Sequence, residues 1–349
     1  MAAVIMNEDR ISNLPDEIIH HILSFLDMKI VIQTCILSKR WRPLCTNLPC
    51  LNFVSKQTTW DFVEKTLLHQ DPSSNIHAIT LRLVLPYYWR TPLPLIQFAI
   101  PQGIRILDLQ LDCYGLTIKV PHCLFTCQSL VNLKLRLVLH SYMELMFLYD
   151  PYQYKQHVVY VEPTTVKLPL LKTLHLESFC FHGNQFIQEL LLGSPFLENI
   201  SIINCGLHES HNLTISTTQL KYLEIDNIYA CIGCCGSGIG LDRDQHFKNC
   251  KVEISAPMLT AFKCRAQISD QYLIHDFSSL ATADIDMDFP KRCRYCVEKK
   301  FFSLGQLDEF GKNMMKFIQA LYNATSLKLG TALLEVSIYN QMQPLDFLL

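Results

Sequence analysis

Residues 171–202 read LKTLHLESFCFHGNQFIQELLLGSPFLENISI and span one complete structural period. Leu171, Leu174 and Leu176 return as Leu197, Ile200 and Ile202. The last two anchors of each L-x-x-L-x-L unit alternate with polar residues, the pattern of a strand with one buried face. Between the units, Asn184 to Leu192 has apolar residues at helical spacing. The same unit appears as Ile76-Ile79-Leu81, Ile104-Leu107-Leu109, Leu130-Leu133-Leu135, Leu220-Leu223-Ile225 and Leu259-Phe262-Cys264. Weaker copies are Leu280-Ala283-Ile285 and Ala324-Leu327-Leu329. One such unit cannot bury its own leucines, but stacked units share a continuous core.

Successive units start about 21 to 28 residues apart, or about 40 where an insertion intervenes, the period of leucine-rich repeats. The expected fold is α/β: a right-handed solenoid with a parallel inner sheet. Trp60 to His69, Asn184 to Leu192 and Leu307 to Tyr322 supply helices on its outer side. Cys205 falls where such repeats place a buried Asn or Cys. About nine repeats fill 54–349, with insertions near 137–167, 227–252 and 288–306, of which the first is Tyr-rich and suited to a partner surface.

The first fifty residues follow another pattern. From Leu14 they read LPDEIIHHILSFLDMKIVIQTCILSKRWRPLCTNLPCLNF. Asp16 and Glu17 suit a helix N-terminus, Pro15 suits its entry, and Ile18, Ile22 and Leu26, with Ile19 and Leu23 beside them, form a stripe expected to be buried. Asp27 is placed to cap a second helix running through Cys35. Ser38 is placed to cap a third carrying Trp41, Leu44, Cys45 and Leu48. Three helices in so few residues must lean on a neighbour or partner.

Leu14-Pro-Asp-Glu17, Ile22-Leu-Ser24 and Leu37-Ser-Lys-Arg-Trp41 occur in the order in which plant F-box proteins carry them, so residues 8–53 resemble an F-box. Ser194-Pro-Phe-Leu-Glu198 resembles phrases of plant F-box proteins with leucine-rich repeats. The resemblance implies a Skp-type adaptor bound through Leu14, Pro15, Ile18, Ile22, Leu23, Leu26 and Val31, with Ser38, Trp41 and Leu44 structural. Through the adaptor it implies cullin and RING subunits, and on the repeats an unidentified target protein. The chain is then a substrate receptor and not an enzyme. Two other readings stay open: a ligand-sensing F-box receptor, and a repeat-based binder not coupled to ubiquitination. Many plant relatives continue into a further C-terminal domain of the FBD type, whereas Gln343-Pro-Leu-Asp-Phe-Leu-Leu349 reads as the beginning of another strand, without a complete domain of that type.

Alternate residues of each strand face the concave side. They include Arg82, Asp108, Lys134, Arg136, His175, Glu177, Tyr222, Glu224, Asp226, Lys263, Arg265, Asp284 and Asp286. The acids at 224 and 226 are expected beside the bases at 263 and 265, and these beside the acids at 284 and 286. Such a ladder either neutralises itself or selects an oppositely patterned target, with Lys263 and Arg265 as contacts.

A formal net charge of −2 and the lack of a long basic block give no sign of nucleic acid or an anionic membrane. No apolar run reaches the roughly 18 residues of a membrane span. No signal sequence is evident, so a cytoplasmic or nuclear protein with reduced thiols is expected. Cys231-x-x-Cys234 and Cys293-x-x-Cys296, with His246 and Cys250, have zinc-like pair spacing but too long a separation, so they read as free thiols. No cofactor, metal or catalytic residue is expected.

Overall fold

A computed structural model describes residues 11, 13–71, 74–85, 93–114, 120–140, 160–161, 165–182, 184–208, 212–231, 250–267, 270–288 and 304–330. Three short helices, α1 (Asp16–Leu23), α2 (Met28–Thr34) and α3 (Trp41–Thr46), precede a coil of strands. The inner strands are β1 (Cys50–Phe53), β2 (Ala78–Leu85), β3 (Ile106–Tyr114), β4 (Asn132–His140), β6 (Thr173–Glu177), β8 (Asn199–Ile203), β11 (Tyr222–Asp226), β14 (Ala261–Gln267), β16 (Thr282–Asp288) and β17 (Ser326–Leu329). They form one ten-stranded sheet in that order, and every neighbouring pair is parallel.

Each repeat unit read in the sequence lies on one of these strands. Its first anchor sits just before the strand and its second and third point inward. Ile76, Ile104, Leu130, Leu171, Leu197, Leu220, Leu259 and Leu280 are all buried. Backbone bonds stack the turns between coils: Lys172 N–H donates to Val131 C=O, Glu198 to Lys172, Lys221 to Glu198 and Thr260 to Lys221, at 2.8 to 2.9 Å. The last unit differs. Leu327 remains 42% exposed, because among the described residues β17 pairs on one side only.

One strand precedes the first unit recognised. Leu48, Leu51 and Phe53 repeat the same spacing at the end of the helical module, are fully buried, and place β1 beside β2. Asn52 Nδ2 donates to Ser24 C=O at 2.5 Å, and the Asp27 carboxylate accepts from Val54 and Ser55 N–H at 2.8 and 2.9 Å. The helices and the first coil therefore share one core.

The outer side carries the three expected helices and, elsewhere, strands. Trp60–Leu68, Gln185–Gly193 and Leu304–Ala320 are helical. Three consecutive coils return through strands instead, β10 (Asn212–Ser216), β13 (Lys251–Ser255) and β15 (Gln271–Asp276), which form a parallel sheet. Asn-Leu-Thr-Ile-Ser and Lys-Val-Glu-Ile-Ser alternate with period two, burying Leu213, Ile215, Val252 and Ile254, so these stretches fit strands and not helices. Short strands β5 (Tyr160–Val161), β7 (Cys180–His182), β9 (Gly206–His208) and β12 (Tyr229–Cys231) make a third sheet.

The chain turns from the inner strands toward that third sheet at Ser178, Asn204 and Asn227, all at positive φ (64°, 51° and 51°). Asn227 Nδ2 donates to Asn204 Oδ1 at 2.9 Å, which ties two stacked turns together. Cys205, beside them, is buried and its thiol faces the carbonyls of Leu176 and Ile203.

Gly193 ends its helix against the backbone of Val166. A Cβ there would lie 2.2 Å from the Val166 carbonyl oxygen, an atom that cannot rotate away. Gly193→Ala is expected to destabilise the fold by about 2 kcal/mol or more, read as a lowered urea midpoint with unchanged m.

Asp270, 7% exposed, joins β14 to β15. Its two oxygens accept from Cys250 and Gln267 N–H at 2.9 and 3.2 Å. Burial outweighs these bonds and pushes its pKa up to about 6. The folded chain thus holds this proton more tightly than the unfolded chain. Stability from this group falls as pH rises from about 4 to about 6, by up to about 3 kcal/mol. Urea titrations at pH 5 and pH 7.5 are expected to show about half of this loss, about 1.4 kcal/mol, in the wild type and not in Asp270→Asn.

Candidate functional site

The helical module is built around Ile19, Leu23, Met28, Val31, Trp41, Leu44, Cys45 and Leu48, all buried. Asp16 and Arg40 form an ion pair, and Arg40 Nη2 also donates to Leu14 C=O at 2.7 Å, closing the chain entry onto α3. Asp27 caps α2 by accepting from Lys29 N–H at 2.9 Å. Ser38 makes no side-chain cap: α3 begins at Trp41 after Arg40, and the Ser38 hydroxyl has no hydrogen-bond partner among the described residues.

The buried stripe of α1 is narrower than the expected one. Ile19 and Leu23 face α3, whereas Ile18 and Ile22, one residue earlier and about 100° around the helix, are exposed. Leu26 and Leu14 are half-buried and Pro15 is exposed. Leu23 and Val31, expected to meet a partner, are 1% and 0% exposed and belong to the core. Their place outside is taken by residues the sequence reading passed over: Phe25 (74% exposed), Ile36 (83%) and Leu37 (69%). Ile18 and Ile22, four apart, share a face of α1, and Phe25 follows in the turn that ends the helix. A folded domain rarely leaves this much large apolar surface on one small module without a partner for it.

On the inner sheet the expected polar residues do line up. One row across the strands runs Asp108, Lys134, His175, Ser201, Glu224, Lys263, Asp284 and Lys328. A second runs Arg82, Gln110, Arg136, Glu177, Ile203, Asp226, Arg265 and Asp286. Lys263 Nζ donates to Glu224 Oε1 at 2.5 Å and Arg265 Nη1 to Asp226 Oδ2 at 3.4 Å. Lys328 Nζ is 3.4 Å from Asp284 Oδ2, and Arg136 Nη2 is 2.6 Å from Asp108 Oδ1.

Glu224 is the centre of this arrangement, since Ser201 Oγ and Tyr222 OH also donate to its Oε2 at 3.1 and 3.2 Å. Burial pushes its pKa up, but the bonds from Lys263, Ser201 and Tyr222 prevail and hold the carboxyl below its ordinary value. Burial and the adjoining Glu224 push the Tyr222 phenol up to about 12. Burial lowers the pKa of His175 against the pull of Glu177, whose Oε2 lies 3.6 Å from Nε2.

Of the possible zinc ligands, Cys234, His246, Cys293 and Cys296 lie outside the described residues, as does nearly all of the Tyr-rich insertion. Cys250 is buried beside β13, and Cys231 ends β12. Among the described residues no group of three or more His, Cys, Asp or Glu is placed to hold a metal ion. None of their helices is long and apolar enough to cross a membrane.

Two family models match the chain: the F-box domain over residues 11–53 and the Leucine Rich Repeat over residues 170–195. The chain is similar to an F-box/LRR-repeat protein of Arabidopsis thaliana, 28% identical over 348 residues, covering 96% of this chain and 81% of that one. An F-box/FBD/LRR-repeat protein of the same plant is 25% identical over 347 residues, covering 97% and 68%. An FBD-associated F-box protein is 31% identical over 226 residues, covering 62% and 50%. Of two further Arabidopsis relatives the chain spans 48% and 59% of the length.

Proposed function

We propose that this chain, an F-box protein with leucine-rich repeats of the kind found in plants, is the substrate-recognition subunit of a Skp–cullin–F-box ubiquitin ligase. The observation that carries the reading is the exposed apolar surface of the F-box module, with Ile18, Ile22, Phe25, Ile36 and Leu37 outside and the module's own core complete without them. An aliphatic and aromatic surface of this kind suits a Skp-type adaptor, with exposed Pro15 and half-buried Leu14 and Leu26 as further contacts. The adaptor in turn brings cullin and RING subunits.

The F-box occupies 8–53 and the repeats 54–349. The inner face, with Lys134, Arg136, His175, Glu177, Tyr222, Glu224, Asp226, Lys263, Arg265, Asp284 and Asp286, holds the target. The chain contributes proximity and orientation, while the chemistry belongs to the partner enzymes. Cytoplasm or nucleus is the compartment in which those partners work. The reading is tested by reconstitution with adaptor, cullin, RING and the ubiquitin-activating and ubiquitin-conjugating enzymes. A protein captured by the repeats is expected to be ubiquitinated only when the whole set is present. Equal modification in the absence of this chain would refute the reading.

A further inference from the structure

The charges of the inner face are not distributed evenly. Toward the C-terminal end nearly every cation is answered: Lys263 by Glu224, Arg265 by Asp226 and Lys328 by Asp284. Asp286, in register with Arg265, adds further acid there. Lys263 and Arg265, the cations expected to select a target, are thus held by their own neighbours and offer little free charge.

Toward the N-terminal end the balance reverses. Arg82 on β2 and Lys134 on β4 are exposed and have no ion pair among the described residues. Arg136 is bonded to Asp108 and adjoins Glu177, and its Nε–H, unpaired among the described residues, is buried, so the free cations of this end are Arg82 and Lys134. Asp112, the other acid on β3, is engaged as well. Arg82, Gln110 and Arg136 adjoin across three strands, and Lys134 adjoins His175. At about 4.8 Å per strand, Arg82 and Arg136 stand about 10 Å apart, with the amide of Gln110 between them. An extended chain presents alternate side chains about 7 Å apart, so successive carboxylates of one segment lying across these strands come within reach of Arg82 and Lys134.

We infer that the face of β2 to β4 docks an acidic, carboxylate-rich segment of the protein the repeats hold, an inference that rests on the receptor reading. The surplus of acid at the other end repels such a segment and so fixes where along the arc it lies. Free cations at an exposed site act on encounter and orientation, and their effect weakens with salt.

The test uses the full chain and two short fluorescent peptides, one of alternating Glu and Ser and one of alternating Lys and Ser, with binding followed by anisotropy. The Glu peptide is expected to bind more tightly than the Lys peptide, and to weaken as NaCl rises from about 0.05 to about 0.5 M. Arg82→Glu combined with Lys134→Glu is expected to reduce its affinity about tenfold or more. Lys328→Ala, at the other end, is expected to leave it unchanged. Equal binding of the two peptides, or an undiminished Glu peptide in the double variant, overturns the inference. Capture of a Skp-type adaptor, measured on the same preparations, separates the two claims. Adaptor bound without preference for the Glu peptide removes this inference alone, and no adaptor capture removes the receptor reading beneath it.

Discussion

Replacing Ile22 and Phe25 together by Asp is expected to abolish capture of a Skp-type adaptor while leaving the fold intact. Both side chains are exposed, so the free chain loses little core packing and its urea midpoint moves by no more than about 0.5 kcal/mol equivalent. In a complex they would sit under the partner, where one central apolar anchor is worth about 2 kcal/mol or more. Losing two anchors and burying two carboxylates gives a fall in affinity of about a thousandfold or greater, read by titration calorimetry. Leu23→Asp is the contrasting control. That side chain is in the core, so its replacement unfolds the module and removes adaptor capture for a different reason, visible in circular dichroism. Full adaptor affinity in the Ile22/Phe25 double variant would mean that another surface makes the contact.

Phe53→Ala is expected to have the largest effect on stability. Phe53 is fully buried, packs edge-on against Phe62 with ring centroids 6.2 Å apart, and lies in β1 between the helices and the coil. Removing it costs about 3 to 5 kcal/mol, a large part of the total stability of an ordinary domain. The bonds from Asn52 to Ser24 and from Val54 and Ser55 to Asp27 tie the module to the same strand. Loss of the β1 core should therefore reach both sides. Adaptor capture and resistance of the inner sheet to limited proteolysis are expected to fall together, in one urea transition. Loss of protease resistance with adaptor capture fully retained would show that the F-box stands alone.

Much of this architecture is legible in the residues themselves. Leu220, Leu223 and Ile225 announce an inner strand because each repeat must bury the same three positions, and repetition multiplies a weak local signal. The adjacency of Glu224 and Asp226 with Lys263 and Arg265 follows once the strands are parallel and in register. The outer strands are less legible. Leu213 and Ile215, or Val252 and Ile254, alternate clearly, but expecting helices outside a leucine-rich coil hides that period.

The F-box face shows the opposite difficulty. Apolar periodicity says that a residue is covered without saying by what, so Ile18, Ile22, Leu23 and Val31 all read as contacts, although Ile18 and Ile22 stand outside while Leu23 and Val31 belong to the core. Ile36 and Leu37 carry a signal after all: they are large apolar residues in the turn between α2 and α3, where the module's own packing does not require them. The tally of charges along the inner face was likewise available, but the imbalance emerges only when each ion pair is placed.

Hydrogen–deuterium exchange of the full chain, alone and saturated with a Skp-type adaptor, tests the central claim most directly. The account predicts slowed exchange confined to residues 11–37, centred on Ile18 to Phe25 and Ile36 to Leu37, with the inner strands from β2 onward unchanged. Protection of those strands with none at 11–37, or no protection anywhere at saturating adaptor, would contradict it.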